Sequence, residues 1–139
     1  MSNNDAIRWL QRLENFETAL GKLSDACQRD SYSELETAGV IQFFVFSQEL
    51  AWNTLKDLLY VEGIDAKTPR AVWREAHSAG FVEDIDTALG TIAFRNELSH
   101  RYSEAMARRA LERIRADYLP LLTDILDKLQ QKRETERGA

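Results

Sequence analysis

The chain has 139 residues, the usual size of one folded domain, and its 44% hydrophobic and 29% charged residues do not fit an intrinsically disordered chain. Cys27 is the only cysteine, so an intramolecular disulfide and a cysteine-based zinc site are both excluded. The formal net charge of -5 argues against a protein that coats nucleic acid through a uniformly positive surface.

The first predicted helix is amphipathic. Its apolar residues recur every three or four positions, the spacing that lines one face of an α-helix. They are Ile7, Leu10, Leu13, Phe16, Leu20, Leu23 and Cys27. We therefore expect Cys27 in the core and a turn at the polar residues 28–33.

Residues 34–61 form the most apolar predicted helix. Its apolar side chains cover more than one face: Val40, Ile41, Phe43, Phe44, Phe46, Leu50, Ala51, Leu55, Leu58 and Leu59. Such a helix must contact several neighbours, so this one is predicted to be central, and Gly63 ends it. Trp52 is predicted to lie in the core or in a dimer interface rather than to stack on a base.

A short third helix and a fourth helix follow. Thr68 and Pro69 start the third, because threonine caps free backbone N–H groups and proline lacks the N–H that would stay unpaired. Gly80 ends it. The apolar spacing of residues 85–92 then predicts a fourth helix.

Ser103 is predicted to cap a fifth helix, whose apolar positions continue to Leu129 and which should kink at Pro120. Residues 131–139 have no apolar anchor, so we expect a frayed or disordered tail after a single domain of residues 1–130. The fold is thus predicted to be all-α, an up-and-down antiparallel bundle of about five helices.

The N-terminus is polar and mixed in charge, without the layout of a signal peptide, and no apolar run is long enough to span a bilayer. We therefore expect a cytoplasmic protein without membrane association.

The segment RNELSHRY, residues 95–102, concentrates chemically useful groups before the predicted cap. Arg95 supplies a fixed cation, Asn96 an amide, His100 an imidazole and Tyr102 a phenol. On an unbroken helix Arg95 and His100 would lie about 140° apart. Joint action therefore requires either unwinding near Ser99 or a two-fold axis that brings two copies of the segment together.

Paired histidines would suit metal-independent RNA cleavage. One imidazole can accept the 2′-hydroxyl proton while the other protonates the departing 5′-oxygen. Arg95 could stabilise the transition-state charge on the phosphate, and Asn96 could orient either partner. The same residues also fit a purely structural helix end, with His100 near the negative end of the helix dipole and Tyr102 covering the next helix.

Glu97 and His100 also have the spacing of the Glu-x-x-His unit of di-iron bundles. Such a site needs a second pair and further glutamates, and the only other histidine is His77. His77 lies among polar residues and is interpreted as a surface residue. No metal or cofactor is therefore expected.

An arginine-rich stretch follows the segment, although the chain as a whole is acidic. It contains Arg101, Arg108, Arg109, Arg113 and Arg115. Arg101, Arg108 and Arg109 could hold an RNA backbone near His100 through phosphate contacts. A solvated helix face with ordinary charge pairs is the alternative.

Three stretches together resemble the HEPN superfamily, specifically its nucleotidyltransferase substrate-binding proteins and the HEPN toxins of HEPN/MNT toxin–antitoxin pairs. They are FSQELAWNTLKDLLYVEGI, TPRAVWREAHSAGFV and RNELSHRYSEAMA. The resemblance implies a bundle with a four-helix core that forms a homodimer.

The resemblance also implies a function. It maps the motif of active members, a metal-independent endoribonuclease site, onto Arg95, Asn96 and His100. It makes Tyr102 the acceptor of the AMP that an MNT-type nucleotidyltransferase antitoxin transfers to silence its toxin. RNA, not DNA, would be the substrate. The alternatives are a non-catalytic substrate-binding subunit of a nucleotidyltransferase and, less specifically, a structural dimerisation module.

Overall fold

The computed structural model describes residues 3–100 and 102–138, and within them it contains helices and no strands. The helices are α1 (Asn3–Ala26), α2 (Glu34–Val61), α3 (Pro69–Ser78), α4 (Ile85–His100), α5 (Glu104–Arg113) and α6 (Leu119–Gly138). A π-helical turn, Ile114–Tyr118, joins α5 to α6 without a break, so the chain forms five helical segments. The predicted all-α bundle is confirmed.

Helices α1 and α2 form an antiparallel hairpin. Arg12 of α1 pairs with Asp57 near the end of α2, whereas Arg29 in the connecting turn pairs with Glu36 at its start. Ser33 caps α2: its side chain accepts a hydrogen bond from the Glu36 N–H, and the Glu36 carboxylate accepts one from the Ser33 N–H. This reciprocal pair satisfies two backbone donors that a helix start leaves free.

Helix α2 is central, as its sequence predicts. It packs against α1, α3, α5 and α6. The largest fully buried side chains come from α1, α2, α3, the π turn and α6: Trp9, Leu13, Phe16, Leu23, Phe44, Leu55, Leu58, Leu59, Trp73, Ile114, Tyr118 and Leu122. Cys27 is buried as predicted, and burial raises the pKa of its thiol because the charged thiolate is poorly solvated there.

The ends of α2 and α3 also follow the sequence. Gly63 and Gly80 adopt positive φ angles of 92° and 89° after these helices, a conformation that other residues rarely adopt. The Thr68 side chain accepts a hydrogen bond from the Ala71 N–H at the start of α3. His77 is exposed, and its Nδ1 lies 2.7 Å from the carbonyl oxygen of Val82 in the following turn.

The last helical run differs from its prediction in two places. A π turn that the sequence did not predict, Ile114–Tyr118, lies just before Pro120, whose missing N–H and bulky ring disfavour regular α-helical hydrogen bonding in the preceding turn. Residues 131–138, predicted to be frayed or disordered, are instead part of α6. Arg133 pairs there with Glu17 of α1, and Lys132 lies 2.8 Å from Glu62. These charge pairs replace the apolar anchor that the sequence lacks.

No helix in the described ranges has both the length and the apolarity to cross a membrane.

The central position of α2 predicts how strongly two leucine-to-alanine variants of this helix change the free energy of unfolding. Leu55 has no exposed surface, whereas Leu35 on the same helix is 83% exposed. Leu55→Ala should lower the free energy of unfolding by about 2–5 kcal/mol, because it removes transfer free energy and leaves a cavity. Leu35→Ala should change it by less than about 0.5 kcal/mol. Urea denaturation measures both, and similar losses for the two variants would contradict the assignment of α2 as the core helix.

Candidate functional site

Three aromatic rings in mutual contact fix the position of α4. The ring of Phe94 lies 5.4 Å from that of Phe44 on α2 and 4.8 Å from that of Tyr118 in the π turn, and the last two rings are 5.3 Å apart. Rings at such separations attract each other beyond the area they bury. Because Phe94 directly precedes Arg95, this aromatic cluster sets where the predicted polar segment begins.

Arg113 covers the aromatic cluster on its outer side. Its guanidinium lies 5.3 Å from the Tyr118 ring centre and donates a 2.9 Å hydrogen bond to the Tyr118 hydroxyl. It also lies 3.3 Å from the carboxylate of Asp117. Burial raises the pKa of Tyr118, although the charge of Arg113 acts in the opposite direction. The phenol therefore stays protonated to higher pH in the folded chain than in the unfolded one.

Helix α4 continues unbroken to His100, so unwinding near Ser99, the first of the two predicted routes to joint action, is wrong. The Ser99 hydroxyl donates a hydrogen bond to the carbonyl oxygen of Arg95 within the helix. Helical geometry then places Asn96 and His100 on one face and Arg95 on another. Within one chain, Arg95 and His100 are not brought together.

Arg95 is turned toward α2. Its Nη2 lies 3.4 Å from Oε2 of Glu49, and 37% of its side chain is exposed. The same Glu49 oxygen accepts a 3.2 Å hydrogen bond from the indole N–H of Trp52, and its other oxygen lies 3.5 Å from the amide nitrogen of Asn53. The Nε atom of Arg95 is buried and has no hydrogen-bond partner within the described ranges. Half-buried Trp52 therefore helps to position the Glu49 carboxylate, which in turn pairs with Arg95.

The other predicted residues are exposed at the end of α4 and the start of α5. Asn96 and His100 are exposed, and Tyr102 retains 55% of its surface. Ser103 caps α5, as predicted, by accepting a hydrogen bond from the Met106 N–H.

The predicted phosphate-binding arginines divide into two groups. Arg108 and Arg109 are exposed on α5, and neither forms an ion pair with a residue of the described part of the chain. Arg101 lies outside the described residues. Arg108 and Arg109 follow His100 and Tyr102 closely in the chain and leave two guanidinium charges, unpaired within the described ranges, exposed on α5.

Metal-ligating side chains do not form clusters within residues 3–100 and 102–138, which include most of the polar segment. No group of three or more histidine, cysteine, aspartate or glutamate side chains could hold a metal ion there. Arginine and asparagine serve better as hydrogen-bond donors to an anion than as metal ligands. The surface is therefore suited to binding an anion directly.

Two features of this region were not predicted from the sequence. One is the ion pair between Arg95 and Glu49, which are far apart in the chain. The other is a cleft between α1 and α2 of about 430 Å³, here called the α1–α2 cleft. It is lined by Asn15, Thr18, Ala19, Lys22, Phe43, Phe46, Glu49 and Leu50. The sequence gives no signal for the cleft, since it exists only where two helices meet.

Tyr118 gives the region a testable pH dependence. A pKa raised in the folded state stabilises the protein below the ordinary tyrosine value near ~10, and this stabilisation is lost as pH rises through the higher folded value. Above pH ~10 the wild type should therefore lose unfolding free energy more steeply than Tyr118→Phe. At neutral pH the variant should be less stable by about 1 kcal/mol, because it lacks the hydrogen bond from Arg113. Urea denaturation across pH tests both, and parallel pH profiles would contradict the assignment.

The chain is similar to known proteins over most of its length. Residues 11–131 match the family model described as "Nucleotidyltransferase substrate binding protein like". A crystal structure of a Thermus thermophilus protein is similar with 31% identity and a TM-score of 0.75, over 82% of this chain and 98% of that one. No curated protein matches the chain in sequence.

A second solved structure, from Haemophilus influenzae, has 24% identity and a TM-score of 0.61, over 88% of this chain and 96% of that one. It is described as revealing the fold of a substrate-binding domain of a nucleotidyltransferase. At this identity the similarity supports the shared fold alone. The match of residues 11–131 decides the family, and the chain therefore belongs to the nucleotidyltransferase substrate-binding protein-like family.

Proposed function

We propose that this chain is the substrate-binding subunit of a nucleotidyltransferase and that a separate partner chain carries out the transfer. The observation that carries the proposal is the family match across residues 11–131. The arrangement of the polar segment agrees with it, since Arg95 and His100 lie on different faces of an unbroken helix. Residues that diverge in this way can each bind part of a ligand without acting jointly on one bond.

The exposed cations provide the binding chemistry. Arg108 and Arg109 have no ion pairs among the described residues, and a guanidinium can bind a phosphate or carboxylate through two parallel hydrogen bonds. Arg95 is partly exposed and needs only to exchange one carboxylate for another anion. His100 lies at the last turn of α4, where its exposed ring nitrogens can hydrogen-bond a ligand. An anionic substrate fits this surface.

A second candidate function is the HEPN toxin of a HEPN/MNT pair, a metal-independent endoribonuclease. The observation that favours it is the exposure of His100, Asn96 and Tyr102, all open to a large ligand. In this hypothesis a homodimer brings two copies of His100 to one RNA phosphate, because a single chain keeps Arg95 and His100 apart. The family match favours the binding subunit over this alternative.

In the toxin hypothesis Tyr102 accepts AMP from the partner nucleotidyltransferase. The Tyr102 side chain is 55% exposed, so an enzyme could reach its hydroxyl. AMP two residues from His100 would add bulk and negative charge where an RNA phosphate approaches, so repulsion and occlusion would act together. Inactivation would then need no change of fold.

The main proposal is tested with the partner nucleotidyltransferase and this chain, both purified. We expect the two to form a complex in size-exclusion chromatography and the chain to accelerate nucleotidyl transfer to a third molecule. Arg95→Ala should reduce that acceleration roughly tenfold, the usual effect of losing one hydrogen bond to a charged group. Arg74→Ala, which removes an exposed arginine from α3, is the matched control and should have no effect. Absence of both complex and acceleration would refute the proposal.

The toxin hypothesis is tested with the chain alone. It expects RNA cleavage and growth arrest that are lost in His100→Ala but kept in His77→Ala, the variant of the other histidine. It also expects a mass increase of one AMP after incubation with the partner and ATP, absent in Tyr102→Phe. The binding-subunit proposal expects no cleavage by any variant. Circular dichroism should show equal helix content in all of them, so that unfolding does not imitate a loss of activity.

A further inference from the structure

The α1–α2 cleft has the size and lining of a small-molecule site. Its volume of about 430 Å³ falls within the range of roughly 300–1,000 Å³ in which most ligand pockets lie. Phe43, Phe46 and Leu50 form its apolar surface, and Asn15 and Thr18 add polar groups. Phe46 keeps 50% of its surface exposed, so its ring is accessible to a ligand in the cleft. A planar ring could stack on it.

The cleft has a free cation at one end. Lys22 lines the cleft, is exposed and forms no ion pair with any residue described in the structure. A neighbouring cleft of about 460 Å³ shares Lys22 and Phe43, but its arginine, Arg29, is already paired with Glu36 at 2.6 Å. Because Lys22 lines both clefts, the Arg95–Glu49 pair beside the α1–α2 cleft is what distinguishes it as a site for an anion.

Glu49 connects the cleft with the polar segment of α4. Its side chain lines the cleft, and its carboxylate lies 3.4 Å from the guanidinium of Arg95. An anion that approached Arg95 from the cleft would meet the negative charge of Glu49 first. The carboxylate would have to move away from the guanidinium, and 43% of its side chain is already exposed to solvent. An exposed ion pair of this kind contributes little, so an incoming phosphate can replace it.

We propose that the α1–α2 cleft binds the planar aromatic part of a nucleotide-like substrate, which stacks on Phe46 while its anionic group displaces Glu49 from Arg95. This rests on the proposed substrate-binding function and names the class of substrate, a planar aromatic ring that carries a phosphate or another anion. Phe46 and Arg95 are binding residues in this arrangement. Glu49 acts through Arg95, so it is a positioning residue that competes with the substrate.

Isothermal titration calorimetry with three probes separates the parts of the ligand. The probes are AMP, adenosine and inorganic phosphate, titrated into the full chain without the partner. AMP should bind more tightly than adenosine or phosphate, because it alone contains both the ring and the anion. Phe46→Ala should weaken the binding of AMP and of adenosine roughly tenfold, because stacking on an aromatic side chain is lost. Its effect on phosphate should be small.

Two further variants test the ionic part. Arg95→Ala should weaken the binding of AMP and of phosphate roughly tenfold while leaving the binding of adenosine unchanged. Glu49→Gln should strengthen the binding of AMP and of phosphate about two- to fivefold, because it removes the carboxylate charge that competes with them for the Arg95 guanidinium. A merely structural role of Glu49 would lower affinity for every probe or for none. Leu35→Ala, which removes an exposed leucine of α2 outside the cleft, should bind all three probes like the wild type.

The outcomes separate this inference from the proposed function. If AMP does not bind, or if Phe46→Ala binds it like the wild type, the cleft assignment is refuted even when the chain still accelerates its nucleotidyltransferase. A decrease of affinity in Glu49→Gln would refute the displacement step. If AMP binds with the expected pattern but no complex with a nucleotidyltransferase forms, the cleft assignment stands and the proposed function fails.

Discussion

Helix α2 carries apolar side chains around much of its circumference, and leaving them in water would cost free energy in proportion to their area. The other helices are arranged to remove that area from water, with α1, α3, α5 and α6 each packed against α2. Full burial of Phe44, Leu55, Leu58 and Leu59 is the result. This one constraint decides both the position of the core and the amount of surface that is left for binding.

Helix α4 contacts α2 through the Phe94 ring and the Arg95–Glu49 pair but buries few of its own residues, and this exposed position explains the candidate site. Only Ala88 and Thr91 are fully buried on it, so most of α4 stays at the surface. The aromatic cluster anchors it at Phe94, and the following residues extend away from that anchor. An anchored helix with an exposed end presents His100 without burying it. Stability and accessibility are thus supplied by different parts of the same element.

The site also illustrates why residue types do not by themselves decide between catalysis and binding. Arginine, asparagine, histidine and tyrosine can act on a phosphodiester or simply hold a phosphate, and the difference depends on whether they converge. In a single chain Arg95 pairs with Glu49 on α2, whereas His100 lies on another face of α4. Together with the match to substrate-binding proteins, this favours binding over the ribonuclease that the motif first indicated.

The sequence by itself determined the helices, the caps of α3 and α5, the central position of α2 and the place of the polar segment, because these depend on local signals. Only the tertiary structure decided that residues 131–138 are helical, since the carboxylates that pair with them, Glu17 and Glu62, lie far away in the chain. The same is true of the Arg95–Glu49 pair, the ring contacts of Tyr118 and the α1–α2 cleft. The physical reason is that periodicity defines a buried face, whereas packing chooses the partner of that face.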